Sequence, residues 1–167
     1  MTIEEQFLNS VITEFDRRVH QEGFERIKKC LSFFSEEEVW QRPNENTVSV
    51  ANLILHLSGN VRQWICAGFG GQEDIRTRDA EFSARGGHSK DELISIIEQT
   101  ITDAQSVLRT ATVADLPAIK KVQVYEESGL SIIIHVIEHF SYHIGQITYA
   151  TKAIKNVDTQ YYPEDLG

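Results

Sequence analysis

Three histidines fall within nine positions near the end of the chain, His135, His139 and His143 in HVIEHFSYHIGQI. Steps of four on a helix advance about 400°, so successive members of this series sit about 40° apart on one face. Two imidazoles at that spacing can reach one metal ion, as the two histidines of the HExxH zinc motif do. Helical phase selects the pair. Counted from Leu130, the apolar residues Ile132, Ile133, Val136, Ile137, Phe140, Ile144 and Ile147 occupy one arc. His143 falls inside the edge of that arc, between Ile132 and Val136. His139 lies about 40° further out and His135 further still. The inward-edge pair is therefore His139 and His143, and His135 is left as an outer-layer or surface residue.

A third ligand must come from another element. His56 interrupts an apolar run, Leu53-Ile54-Leu55-His56-Leu57, and its phase puts it on the flank of a stripe beside Asn52, Asn60 and Gln63. Gly59, one turn on, leaves room for something to approach closely. An imidazole at a buried edge needs a partner, and a metal shared with His139 and His143 would provide one. The residues alone leave a second reading open, in which these histidines are a solvated or hydrogen-bonded face that holds no metal. His20, among Arg17, Arg18, Gln21 and Glu22, reads as a surface residue, and His88 as a loop residue.

The elements that must carry these residues are four amphipathic helices, over roughly 3–33, 48–68, 90–111 and 130–155, each with an apolar stripe at three- and four-residue steps. Ser35-Glu36-Glu37-Glu38 and Ser89-Lys90-Asp91-Glu92 have the form of capping boxes. Pro43 closes the short turn near Trp40, and Gly68, Gly70 and Gly71 stop the second helix. Residues 70–88 form a long polar connection in which Arg76, Arg78 and Arg85 alternate with Asp74, Asp79 and Glu81. Those arginines either bind an anion or pair with the neighbouring carboxylates to dock the loop. Residues 117–127 alternate around Val122, Val124 and Tyr125, as an extended piece or hairpin arm does. Four helices, none apolar all round, make an all-α four-helix bundle. The lengths of the second and third connections point to crossovers.

Composition narrows the function. With 16 Lys+Arg against 25 Asp+Glu the formal net charge is −9, which argues against nucleic acid as the partner. A hydrophobic content of 41% is enough for one core, and 167 residues are one domain's worth, so residues 1–167 are read as a single domain. No apolar run is long enough for a membrane span, and the first ten residues lack the pattern of a secretory signal. Two cysteines, Cys30 and Cys66, suit a reducing cytoplasm better than a disulfide framework. Neither has a base close in sequence, so each reads as a packed small hydrophobe.

His56 within NLILHLSGNVRQW, EHFSYHIGQI in the last helix, and Trp40-x-x-Pro43 ahead of the second helix together resemble the DinB-like superfamily. The resemblance covers nearly the whole chain in element order. It implies an up-down-down-up bundle with crossover connections that binds a divalent metal through His56, His139 and His143. Where many relatives carry Arg before the Gly-Gln of the last motif, this chain has Ile144, which removes a charge near the site. Relatives include metal-dependent transferases that use low-molecular-weight thiols such as bacillithiol or mycothiol, and metal-dependent isomerases or hydrolases. The expectation is thus a transferase that activates a low-molecular-weight thiol for attack on an electrophilic small molecule. The rival is a non-catalytic metal- or ligand-binding bundle, or a metal-free structural dimer. Zinc or nickel is the expected metal, and a homodimer is implied by the resemblance alone. No catalytic or substrate-binding residue is assigned.

Overall fold

A computed structural model of the protein describes residues 1–162. The first helix, α1, runs over residues 3–32. It is α-helical at Ile3–Phe15, widens to π-helical turns at Asp16–Phe24 and returns to α at Glu25–Ser32. Thr2 and Glu5 cap its start reciprocally, at 2.7 and 3.2 Å. Wide turns of this kind shift the phase of the residues that follow. Here they bring Gly23 against the Phe140 ring, where a Cβ would lie 2.6 Å from Cε1.

Helix α2 covers residues 50–69, α-helical at Val50–Val61 and π-helical at Arg62–Phe69. Its cap is a box closed by Asn rather than by Glu or Gln, so the usual Ser-x-x-Glu pattern misses it. The Asn52 backbone N–H donates to Ser49 Oγ at 3.1 Å, and Asn52 Oδ1 accepts the Ser49 N–H, also at 3.1 Å. Both residues are buried. The connection over 70–88 is not structureless, because Arg78–Ser83 forms a short helix, α3. The Ser89/Glu92 box then opens α4, Lys90–Arg109. A hairpin follows, β1 Ile119–Val122 and β2 Tyr125–Ser128, antiparallel with Ile119 opposite Ser128 and Val122 opposite Tyr125. Gln123, at φ 54°, makes its turn. Val122 seats the hairpin on Gly68 at the end of α2, where a Cβ would come within 2.9 Å. The last helix, α5, spans Gly129–Lys155 and stops at Asn156 in the left-handed region.

Helix α1 packs on α4 and α5, and α2 packs on the same two. So α1 stands diagonally across the bundle from α2, and α4 from α5. The two diagonal connections are the first, tied down by the Ser35/Glu38 box, and the third, which holds the hairpin. The second connection joins neighbours that run parallel, with Arg62 beside Asp103 and Gly70 beside Val107, so it returns along the length of the bundle, the crossover expected from its length. It is long because it folds back onto the face of α2. Phe15, Ile27, Ile54, Leu57, Ile97, Ile101 and Phe140 are among the side chains fully buried between the four long helices. The arrangement is the all-α, DinB-like bundle anticipated, with a two-stranded hairpin added. No helix among the described residues is long and apolar enough to cross a membrane.

Because the α2 cap is buried, water cannot replace it. Ser49→Ala is expected to lower stability by about 1–2 kcal/mol, read from the midpoint of urea unfolding followed by circular dichroism.

Candidate metal centre

The adjacency of α2 and α5 brings His56 to His139 and His143. The Nε2 atoms of His56 and His143 each lie 3.2 Å from Nε2 of His139. One ligating nitrogen from each ring falls within 4.8 Å of the others, and His56 and His143 are buried. Tetrahedral coordination by imidazoles at about 2.0–2.1 Å sets neighbouring nitrogens about 3.3 Å apart, so the spacing suits a first-row divalent ion.

The outer nitrogens fix the tautomers. His56 Nδ1 lies 3.0 Å from Glu81 Oε2 and 3.1 Å from Arg76 Nη2. Arg76 already donates Nη2–H to the same carboxylate oxygen at 2.8 Å and Nε–H to Oε1 at 2.7 Å. The Nδ1 proton of His56 therefore goes to Glu81, which leaves a lone pair on Nε2. On the other side, His143 donates Nδ1–H to Gln146 Oε1 at 2.7 Å, and its Nε2 is likewise left with a lone pair. His139 lies between these two acceptors with one proton to offer, so hydrogen bonding among the three rings cannot satisfy both. Its own Nδ1 is buried without a partner. Three imidazoles turned inward, with a carboxylate and an amide holding the outer nitrogens of His56 and His143, fit a cation.

Electrostatics agrees. Burial pushes His139 down to about 3, with the nearby His143 and His56 rings adding to the effect. Burial also lowers His143, against the opposing hydrogen bond to Gln146. Burial alone would raise Glu81, but the hydrogen bonds from Arg76 and His56 outweigh it and hold the carboxyl below its ordinary range. Glu81 stays ionised beside an arginine whose side chain is 4% exposed.

This arrangement accounts for two of the three arginines of the 70–88 connection. Arg76 docks the loop through Glu81 and also donates to Gln63 Oε1 at 2.8 Å. Arg85 is bound to backbone carbonyls of residues 82–84. Gly59 is where Glu81 approaches: a Cβ there would collide with Oε1 and lie 2.9 Å from Arg76 Nε. Glu81 and Trp64 carry no functional signal in the sequence. Gly59 is the one local sign that something crosses this face. His135 lies outside the three metal-facing rings, with its ring centroid 5.5 Å from that of His139, in the outer layer expected rather than at the surface. Its ring stacks on Trp64 with centroids 3.7 Å apart, its Nε2 is buried, and burial lowers its pKa. His88 is exposed, as expected, and Arg62 pairs with Asp103 at 2.7 Å. Cys30 is buried against the Tyr161 hydroxyl at 3.0 Å. Burial pushes the Cys66 thiol up, and neither cysteine lies in the histidine group.

Two outcomes follow from this geometry. Glu81→Gln should keep the helical circular dichroism and lower zinc affinity by about 10–100-fold, read by competition with a chromophoric chelator. His139 has a folded-state value below its unfolded one, so its contribution to stability is complete above 6.5 and is lost as pH falls toward about 3. The melting temperature of metal-free protein should drop across that window, and less so in His139→Gln.

The chain matches, over residues 2–162, a family described as a protein of unknown function, DUF1572. No curated protein matches it. Among solved structures it is similar to a DinB-like protein from Bacillus subtilis at 13% identity and a TM-score of 0.66, covering 89% of this chain and 94% of that one. A DinB-like protein from Bacillus cereus has 16% identity and a TM-score of 0.65 over 83% and 89% of the two chains. A conserved protein from Enterococcus faecalis has 16% identity and a TM-score of 0.69 over 94% and 99%. At these identities the likeness is one of fold. The chain thus belongs to the DUF1572 family and has the DinB-like fold.

Proposed function

We propose that this protein is a metal-dependent transferase that activates a low-molecular-weight thiol for attack on an electrophilic small molecule, with His56, His139 and His143 as the metal ligands. The observation that carries the reading is the convergence of three imidazole nitrogens, two of them left with inward lone pairs because their rings' protons go to Glu81 and Gln146. A bound zinc or nickel ion would supply Lewis acidity, lowering the pKa of a thiol so that its anion is present near neutral pH. Three protein ligands leave coordination positions for an exogenous group, and a cleft opens beside His56 and His139. The attacking sulfur forms a bond to the electrophilic carbon, the leaving group departs with its electron pair, and the thiol proton passes to solvent. Glu81 and Gln146 hold the ring orientations through this sequence. Neither Cys30 nor Cys66 serves as nucleophile in this scheme.

A homodimer and a cytoplasmic location belong to the same reading. Ile134, Tyr142 and Tyr149 are exposed on α5 within about 80° of one another around the helix, and such a face suits contact with a second copy.

Tag-free protein is expected to hold about one equivalent of metal per chain by plasma mass spectrometry, lost in both His56→Ala and His139→Ala. Conjugation of a low-molecular-weight thiol panel to a chlorodinitrobenzene should disappear in the same variants with the helical spectrum retained. Full turnover in His139→Ala would exclude the mechanism. Metal binding with no turnover on any thiol would leave a non-catalytic binder.

A further inference from the structure

Five buried side-chain polar atoms among the described residues have no hydrogen-bond partner. Four of them belong to residues that line one cleft: Asn60 Oδ1, Trp64 Nε1, His135 Nε2 and His139 Nδ1. Asn60 and Trp64 are 4% and 5% exposed. Native proteins pair nearly all such groups, so four orphans gathered behind one wall mark this as a polar region with unused hydrogen-bonding capacity. The cleft measures about 380 Å³ and lies between α2, α5 and the hairpin, immediately beside the three-histidine group.

Three charged residues also line it: Arg76 and Arg78 from the 70–88 connection and Glu127 from β2. Arg78 has no carboxylate partner among the described residues, whereas Arg76 is held by Glu81 and Arg62 by Asp103. Its guanidinium lies 4.8 Å over the Phe82 ring, which packs 4.7 Å from the His56 ring. The cation is thus held against the edge of the histidine group. Glu127 has Lys120 opposite it in the hairpin register, but that ammonium goes to the Phe69 carbonyl and to Asp115. The described partner of the Glu127 carboxylate is the Ser131 hydroxyl, on Oε2 at 2.6 Å. One cation and one anion, each without an opposite charge, therefore line the same small chamber.

We propose that this cleft binds a small zwitterion of the amino-acid class, with its carboxylate on Arg78, its ammonium on Glu127 and its body against the stacked rings of Trp64 and His135. A planar guanidinium matches a carboxylate bidentately. The side chain of such a molecule is directed toward the three histidines. That last element rests on the metal-dependent reading above, while recognition of the two charges does not.

The test is calorimetric titration of zinc-loaded protein with L-cysteine, 3-mercaptopropionate, which lacks the amine, and cysteamine, which lacks the carboxylate, with zinc retention checked afterwards. L-Cysteine should bind about tenfold more tightly than either of the others. Arg78→Ala should weaken L-cysteine and 3-mercaptopropionate by about tenfold and leave cysteamine unchanged; Glu127→Gln should weaken L-cysteine and cysteamine and leave 3-mercaptopropionate unchanged. Equal binding of the three thiols, or variants that shift all three alike, would overturn the proposal. Titration of metal-free protein with L-serine separates the two readings. L-Serine binding that Arg78→Ala abolishes, in a protein that takes up no zinc, supports the chamber and removes the metal. Zinc uptake with no preference for the zwitterion removes the chamber and keeps the metal.

Discussion

The structure depends on keeping one buried carboxylate ionised. Glu81 is withdrawn from water and tolerable there only because Arg76 grips it with two N–H groups and His56 adds a third donor. An unpaired charge at that depth would cost several kcal/mol. Much of the neighbourhood is arranged to satisfy it. Gly59 gives up its side chain to let the carboxylate reach the face of α2. Asn52 binds the backbone carbonyls of Glu81 and Ala84 at 2.8 and 3.0 Å while also capping its own helix. Arg42 bridges Asn52 and the Phe82 carbonyl. The returning loop, the start of α2 and the orientation of one histidine are thus a single interlocked unit.

Topology explains why that histidine meets two others more than eighty residues away in sequence. The first connection carries the chain diagonally across the bundle, so α2 is separated from α1 and set beside α5. The third connection does the same for α4. A ring of sequential neighbours would have put α2 next to α1, and His56 would have faced the wrong helix. The hairpin within the third connection then forms a side wall next to α2, which is how Glu127 comes to share a cleft with Asn60 and Trp64.

What is legible in the sequence follows this division. Helix periods, capping boxes and the inward phase of His139 and His143 are local properties, and each is readable within a dozen residues. His56 is readable because a lone polar residue in an apolar run demands a partner. Gln146 lies near His139 by phase, and it serves the neighbouring ring of His143. By contrast, the role of Glu81 depends on how a polar loop docks, and nothing in its own composition separates it from Asp74 or Asp79. Only Gly59, on another element, records the approach. Helical phase sets His135 outside the inward pair, but it reports only direction from the helix axis and says nothing about Trp64, a side chain from the adjacent helix that covers it.

The contact between His56 and His139 has one more consequence. The two residues are separated by 83 positions, and in the proposed loaded state an ion would join them as a cross-link does. Closing a loop of that size removes chain entropy from the unfolded ensemble on the order of 4 kcal/mol, by the loop-entropy relation that applies to disulfides. A chain with two unpaired cysteines, Cys30 and Cys66, would thereby gain a reversible staple between its second and last helices, one that a change in metal supply could open without any redox chemistry.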